Sequence, residues 1–228
     1  MNESSPAPLS PLDQRVLGVL VEKAKTTPDA YPLSLNGLTV GCNQKSNREP
    51  VMNVNDEQVE ATLDQLQPRG LVTKITGSRV DRWRHNLYEQ WQVDKVELAI
   101  LTELLLRGPQ TEGELRGHAG RMEPIDDLET LRQKLRTLAE RKLVFFLGEL
   151  GRRGTQIAHG FRAADELERM RAAGPAPEAS GESARTTTAS SSSLAAEVAA
   201  LAGQVAELRE ALRQVQEDVR QLKTSLGG

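Results

Sequence analysis

The segment LDQLQPRGLV at 63–72 returns as LRTLAERKLV at 135–144, with Leu, Leu, Arg, Leu and Val in register. Two further blocks recur in the same order. LDQRVLGVLVEK at 12–23 resembles VDKVELAILTEL at 93–104, and RWRHNLY at 82–88 with its neighbours parallels TQIAHGF at 155–161. Helical heptads share Leu spacings easily, but three matched blocks in one order mark an internal duplication. A unit of about 75–80 residues is small yet able to close a core, so the repeat restricts the chain to two like units in tandem.

Both copies read alike locally. In the first, Ser10 is an N-cap, with Pro11 at the first helical position and Asp13 in the first turn. Leu12, Val16, Leu17, Leu20 and Ala24 form one apolar face. Pro28 and Pro32 end that helix and bound a short extended piece; Ser34 caps a second helix with Leu35, Leu38 and Cys42 on one side. Asn55 caps a third, with Val59, Leu63 and Leu66 inward and Pro68 and Gly70 stopping it. LVTKIT and RVDRWRHNLY are expected as strands joined through Gly77-Ser78. In the second copy Asp94 and Thr111 are the caps, the third helix ends near Lys142, and LVFFLGELGRRGTQIAHGF is the hairpin. Three helices and a hairpin make a winged-helix unit. The expected fold is mainly α with small β-hairpins: two tandem winged-helix domains over 9–90 and 91–171, after a disordered 1–8.

Residues 172–193, AAGPAPEASGESARTTTASSSS, have too little apolar content to bury a core and read as a flexible linker. Beyond it, Leu194, Val198, Leu201, Val205, Leu208, Leu212, Val215, Val219, Leu222 and Leu226 keep an unbroken 4-3 spacing. Branched residues at a and mostly Leu at d predict a parallel dimeric coiled coil over 194–226, and so self-association. The flanking charges support it only in part: Asp218 faces Lys223, whereas other pairs include Ala.

EKAKTTPDAYPLSLNGLTVGCNQKSNREPVMN at 22–53 closely resembles the signature of the YceH-like family of bacterial proteins, and LLLRGPQTEGELRGHAGRM at 104–122 resembles its second-copy motif. The resemblance covers 9–161. It implies a tandem winged-helix fold and often a C-terminal coiled coil; it brings no assigned activity and no catalytic or ligand residues.

One cysteine cannot form an internal disulfide, and the chain starts with no basic, apolar leader, which points to the cytoplasm. No apolar run approaches the roughly 20 residues of a membrane span. Cys42 shares a helical face with Leu35 and Leu38 and reads as a small hydrophobe. His85, His118 and His159 are scattered, and no phosphate-binding glycine loop or nucleophile motif occurs. The chain is therefore expected to be no enzyme, with no catalytic residue, cofactor or metal.

Nucleic acid is the next class. The third helix of the first copy holds Asp56, Glu57, Glu60 and Asp64, poor electrostatics for a phosphate-lined groove. Its hairpin is better, with Lys74, Arg79, Arg82 and Arg84; the loop before the third helix adds Lys45, Asn47 and Arg48, and Arg152 and Arg153 tip the second hairpin. Residues 1–90 and 91–171 carry 10 and 14 Lys plus Arg against 11 and 14 Asp plus Glu, so neither unit is basic. Two functions are expected from this. One is a dimeric regulator of transcription binding duplex DNA through those nine residues. The other is a non-enzymatic adaptor that docks a protein partner on the acidic helix. The polar stretch GCNQKSNREP could equally brace the helix that follows it.

Overall fold

The computed structural model describes residues 6–77 and 80–162, together with Glu166 and Arg169. Arg79, the expected linker and the heptad segment lie outside the described residues. Within them the architecture is mixed, with seven α-helices and two small antiparallel sheets.

The duplication is plain in the element order. The first copy runs α1 (Pro11–Thr26), β1 (Leu33–Ser34), α2 (Leu35–Cys42), α3 (Asp56–Leu66), β2 (Val72–Ile75) and β3 (Arg82–His85). A short α4 (Leu87–Trp91) follows. The second copy runs α5 (Lys95–Arg107), β4 (Gln110–Thr111), α6 (Glu112–Ala119), α7 (Leu128–Glu140), β5 (Val144–Phe146) and β6 (Gln156–His159). The sheets match as well, β1-β3-β2 and β4-β6-β5. Register is equivalent: Val72 lies opposite His85 and Val144 opposite His159.

Local chemistry sets the helix starts. Ser10, Asn55, Asp94 and Thr111 each close a capping box, so two otherwise orphaned N–H groups are satisfied at each end. The turns leaving α3 and α7 are also copies of one another. Gly70 (φ 72°) and Lys142 (φ 58°) take the left-handed conformation. Leu71 N–H donates to Leu66 O at 3.2 Å, and Leu143 N–H to Leu138 O at 2.9 Å, a Schellman pattern that absorbs orphan carbonyls.

Two expectations change. Each sheet has a third strand, because the extended residues before α2 and α6 pair with the hairpin. The strand expected to run through Tyr88 stops at His85; Leu87 begins α4 and is buried in the core.

One apolar core runs through both copies. Its axis is α1 against α5. The approach is close at Gly18, where a Cβ would lie 2.7 Å from Leu106 Cδ2. Consequently α1 is buried over Arg15–Val21 and α5 over Glu97–Leu106, whole helical turns rather than single stripes. Residues 6–8, expected as part of a disordered tail, lie against this body: Pro8 O accepts from Arg69, and Leu9 N–H donates to Phe161 O at 3.0 Å.

Candidate functional site

The loop 43–55 is an internal junction. Arg48 has a fully enclosed side chain and holds Glu22 through two bonds, Nη1 to Oε1 at 3.0 Å and Nη2 to Oε2 at 2.5 Å. It also donates to Gly41 O, Asn47 O and Gln44 Oε1. Its guanidinium has no face turned to solvent, so its role here is bracing. Arg15, also buried, donates to Cys42 O at 2.9 Å and Pro50 O at 2.5 Å. Burial first, then the Arg48 charge, lowers its pKa. Cys42 is enclosed, and burial pushes its thiol up to about 12, leaving no thiolate at neutral pH.

The junction reaches the second copy. Asn47 sits at φ 61°, which Asn tolerates, and its side-chain oxygen accepts from Arg107. Arg107 ion-pairs with Glu103 at 3.2 Å and meets His118 Nε2 at 3.2 Å, while His118 Nδ1 lies 2.6 Å from Gln110 Oε1. Arg107 can only donate, so His118 is neutral with its proton on Nδ1. Glu49 N–H donates to Leu106 O at 2.9 Å, and Lys25 ion-pairs with Glu123 at 2.8 Å. Of the loop's expected contacts, Lys45 and Asn47 are exposed and Arg48 is buried.

On the hairpins the cations divide. Lys74 ion-pairs with Asp81 at 2.8 Å and lies 5.5 Å from the centre of the Trp83 ring. The Asp81 hydrogen bond and charge raise its pKa, with smaller contributions from Glu60 and Asp64. Arg82 donates to Pro32 O at 2.8 Å; Arg84 is exposed, as are Arg152 and Arg153.

The two third helices differ in charge. On α3, Val59, Leu63 and Leu66 face inward; Asp56, Glu57, Glu60 and Asp64 are exposed, and none closes an ion pair among the described residues. On α7 the cations are engaged: Arg132 with Glu112 at 2.7 Å, Lys134 with Asp94, and Arg136 with Glu129 at 3.3 Å. Glu112 also accepts from Gly151 N–H at 2.7 Å, tying the second hairpin to α6.

The model of a family described as "Protein of unknown function, DUF480" matches residues 9–156. The chain belongs to the DUF480 family. A UPF0502 protein of Rhodopirellula baltica is 54% identical over 160 residues, covering 69% of this chain and 67% of that protein. A UPF0502 protein of Pseudomonas paraeruginosa is 45% identical over 179 residues, 78% of this chain and 81% of the relative. One from Geotalea daltonii is 46% identical over 176 residues, 75% and 80%. The DUF480 match spans both copies and the junction between them. Among the described residues no helix is long and apolar enough to cross a membrane, and no group of three His, Cys, Asp or Glu is placed to hold a metal ion.

Reading the sequence for function missed Arg15, Glu22, Glu103 and Arg107. One signal was present: Arg15 interrupts the apolar run of α1, and a charge in a helix's apolar run needs a buried partner.

Proposed function

We propose that this DUF480 protein is a non-enzymatic adaptor made of two winged-helix units, and that the exposed face of α3 docks a basic surface of a protein partner. The observation that carries the reading is the α3 face. In a winged-helix unit the third helix is the reading element, and here it presents four carboxylates without ion-pair partners among the described residues. Such a face repels a phosphate backbone and attracts Lys and Arg side chains. The YceH-like resemblance is read as this same family, and the heptad seam over 194–226 as the element that pairs two chains.

The test is capture by the full chain after nuclease treatment, beside a variant carrying Asp56→Lys, Glu57→Lys, Glu60→Lys and Asp64→Lys. A stoichiometric protein retained by the parent and lost by the variant supports docking. Retention that ignores the four reversals overturns it.

Duplex DNA is the second reading, favoured by exposed arginines on both hairpins, Arg84 and the Arg152–Arg153 pair. It predicts binding that weakens as salt rises and falls in Arg84→Glu and Arg152→Glu/Arg153→Glu. Absence of binding at low salt removes it.

A further inference from the structure

A cavity of about 430 Å³ lies where the two copies meet, between the N-terminal residues, the turns leaving α3 and α7, and the end of α4. Its volume falls in the range of small-molecule sites. Leu71, Leu143, Trp91 and Phe161 contribute apolar surface, and the two aromatic rings stand 4.4 Å apart with 31° between their planes. Arg69 and Arg141 contribute charge.

These residues come in repeat-equivalent pairs. Arg69 and Leu71 of QPRGLV correspond to Arg141 and Leu143 of AERKLV. The two arginines are also tethered alike. Arg69 donates to Pro8 O at 3.2 Å and Arg141 to Gln92 O at 2.9 Å, each carbonyl lying two residues before the N-cap of the first helix in its own copy. The duplication has thus brought two fixed guanidinium groups to one cavity.

Their charges are unequally balanced. Asp13 lies 3.7 Å from Arg69. Arg141 meets only the neutral carbonyls of Trp91 and Gln92, with no carboxylate partner among the described residues. A cation held by neutral acceptors beside an apolar wall favours an anion with an apolar body.

We propose that this cavity is a binding site for a small aromatic carboxylate, its carboxylate on Arg141 and Arg69 and its ring against Trp91 and Phe161. Arg141 carries the larger share, because Asp13 already screens Arg69. The site is independent of the docking face on α3. Both copies supply its walls, so occupancy stabilises their junction.

The probe is phenylacetate, titrated into the full chain while the Trp91 indole N–H resonance is followed, with 2-phenylacetamide, acetate and inorganic phosphate as comparisons. A saturable shift with a Kd on the order of 1 mM or tighter is expected. The amide, lacking the charge, should bind roughly tenfold more weakly. Arg141→Gln should erase that preference, Arg141→Lys keep part of it, and Arg152→Gln, at an exposed arginine that does not line the cavity, leave it unchanged. Arg69→Gln provides a second reading of the charge if Arg141→Gln does not fold. The proposal is overturned if phenylacetate gives no saturable shift. It is equally overturned if the amide matches the acid, or if acetate or phosphate matches phenylacetate.

Discussion

Arg48 and Arg15 show how a charge is kept inside this protein: the acceptors they meet are the Glu22 carboxylate, backbone carbonyls of α2 and the loop after it, and the Gln44 amide oxygen. Arg48→Ala removes the fully enclosed partner of this pair and leaves the mostly covered Glu22 carboxylate with Lys23 at 3.9 Å and with the like charge of Glu103 near it. The expected loss is about 3 kcal/mol, read as a lower urea midpoint. His159 is the opposite case, fully buried with neither ring nitrogen meeting a partner among the described residues. Burial, followed by the nearby Arg162 charge, pulls it down to about 3. Burial, then Lys25, pulls His85 to about 4. A lowered folded pKa means the neutral ring is the folded form. Their contribution is therefore intact above the ordinary histidine value near 6.5 and is lost as pH falls towards those folded values. The slope is about 1.4 kcal/mol per pH unit per histidine. His159→Leu should hold its stability at pH 7 and lose less of it on acidification. An unchanged slope in urea midpoints taken between pH 7 and 5 would refute the assignment.

Among the elements, the paired turns after α3 and α7 give a direct test. Lys142 adopts the left-handed conformation that Gly70 adopts in the other copy, at a cost of about 1 kcal/mol for a residue with a Cβ. Lys142→Gly should raise the melting temperature, whereas Gly70→Lys should lower it. At Gly160 no such exchange is open, because a Cβ would come 1.9 Å from Lys142 O. Gly160→Ala should separate the start of the β5–β6 pair and remove the cooperative melt. Helix starts were readable in the sequence because a cap is local: Ser10, Ser34, Asn55, Asp94 and Thr111 all sit where their side chains predict. The single apolar face read for α1 fell short because another of its sides is covered by α5, which begins 69 residues after α1 ends (95 − 26). The two-residue strands β1 and β4 were too short to show alternation. The ion pairs of α7 were equally hidden in the sequence: Glu112 and Asp94, which hold Arg132 and Lys134, come from other elements. The cavity was hidden in sequence, since its pairs become neighbours only when the copies are joined.

At the scale of the molecule, the shared core makes each copy dependent on the other. Residues 9–90 produced alone would expose the side of α1 that α5 covers. They should give no cooperative unfolding transition by circular dichroism, or should self-associate by that face; a monomeric, cooperatively melting fragment would contradict the shared core. Gly18 adds a constraint on pairing. The N-caps Ser10 and Asp94 shift the register of the first helices by three residues from the block match of 12–23 with 93–104, so that Gly18 corresponds to Thr102, and Leu106 to Glu22. One copy therefore supplies the hollow and the other the side chain that fills it, and neither could serve in the other's place. Hollow and filler lie on opposite partners, so a pair made of two first copies or of two second copies would lack one of them, and this contact exists only between unlike halves.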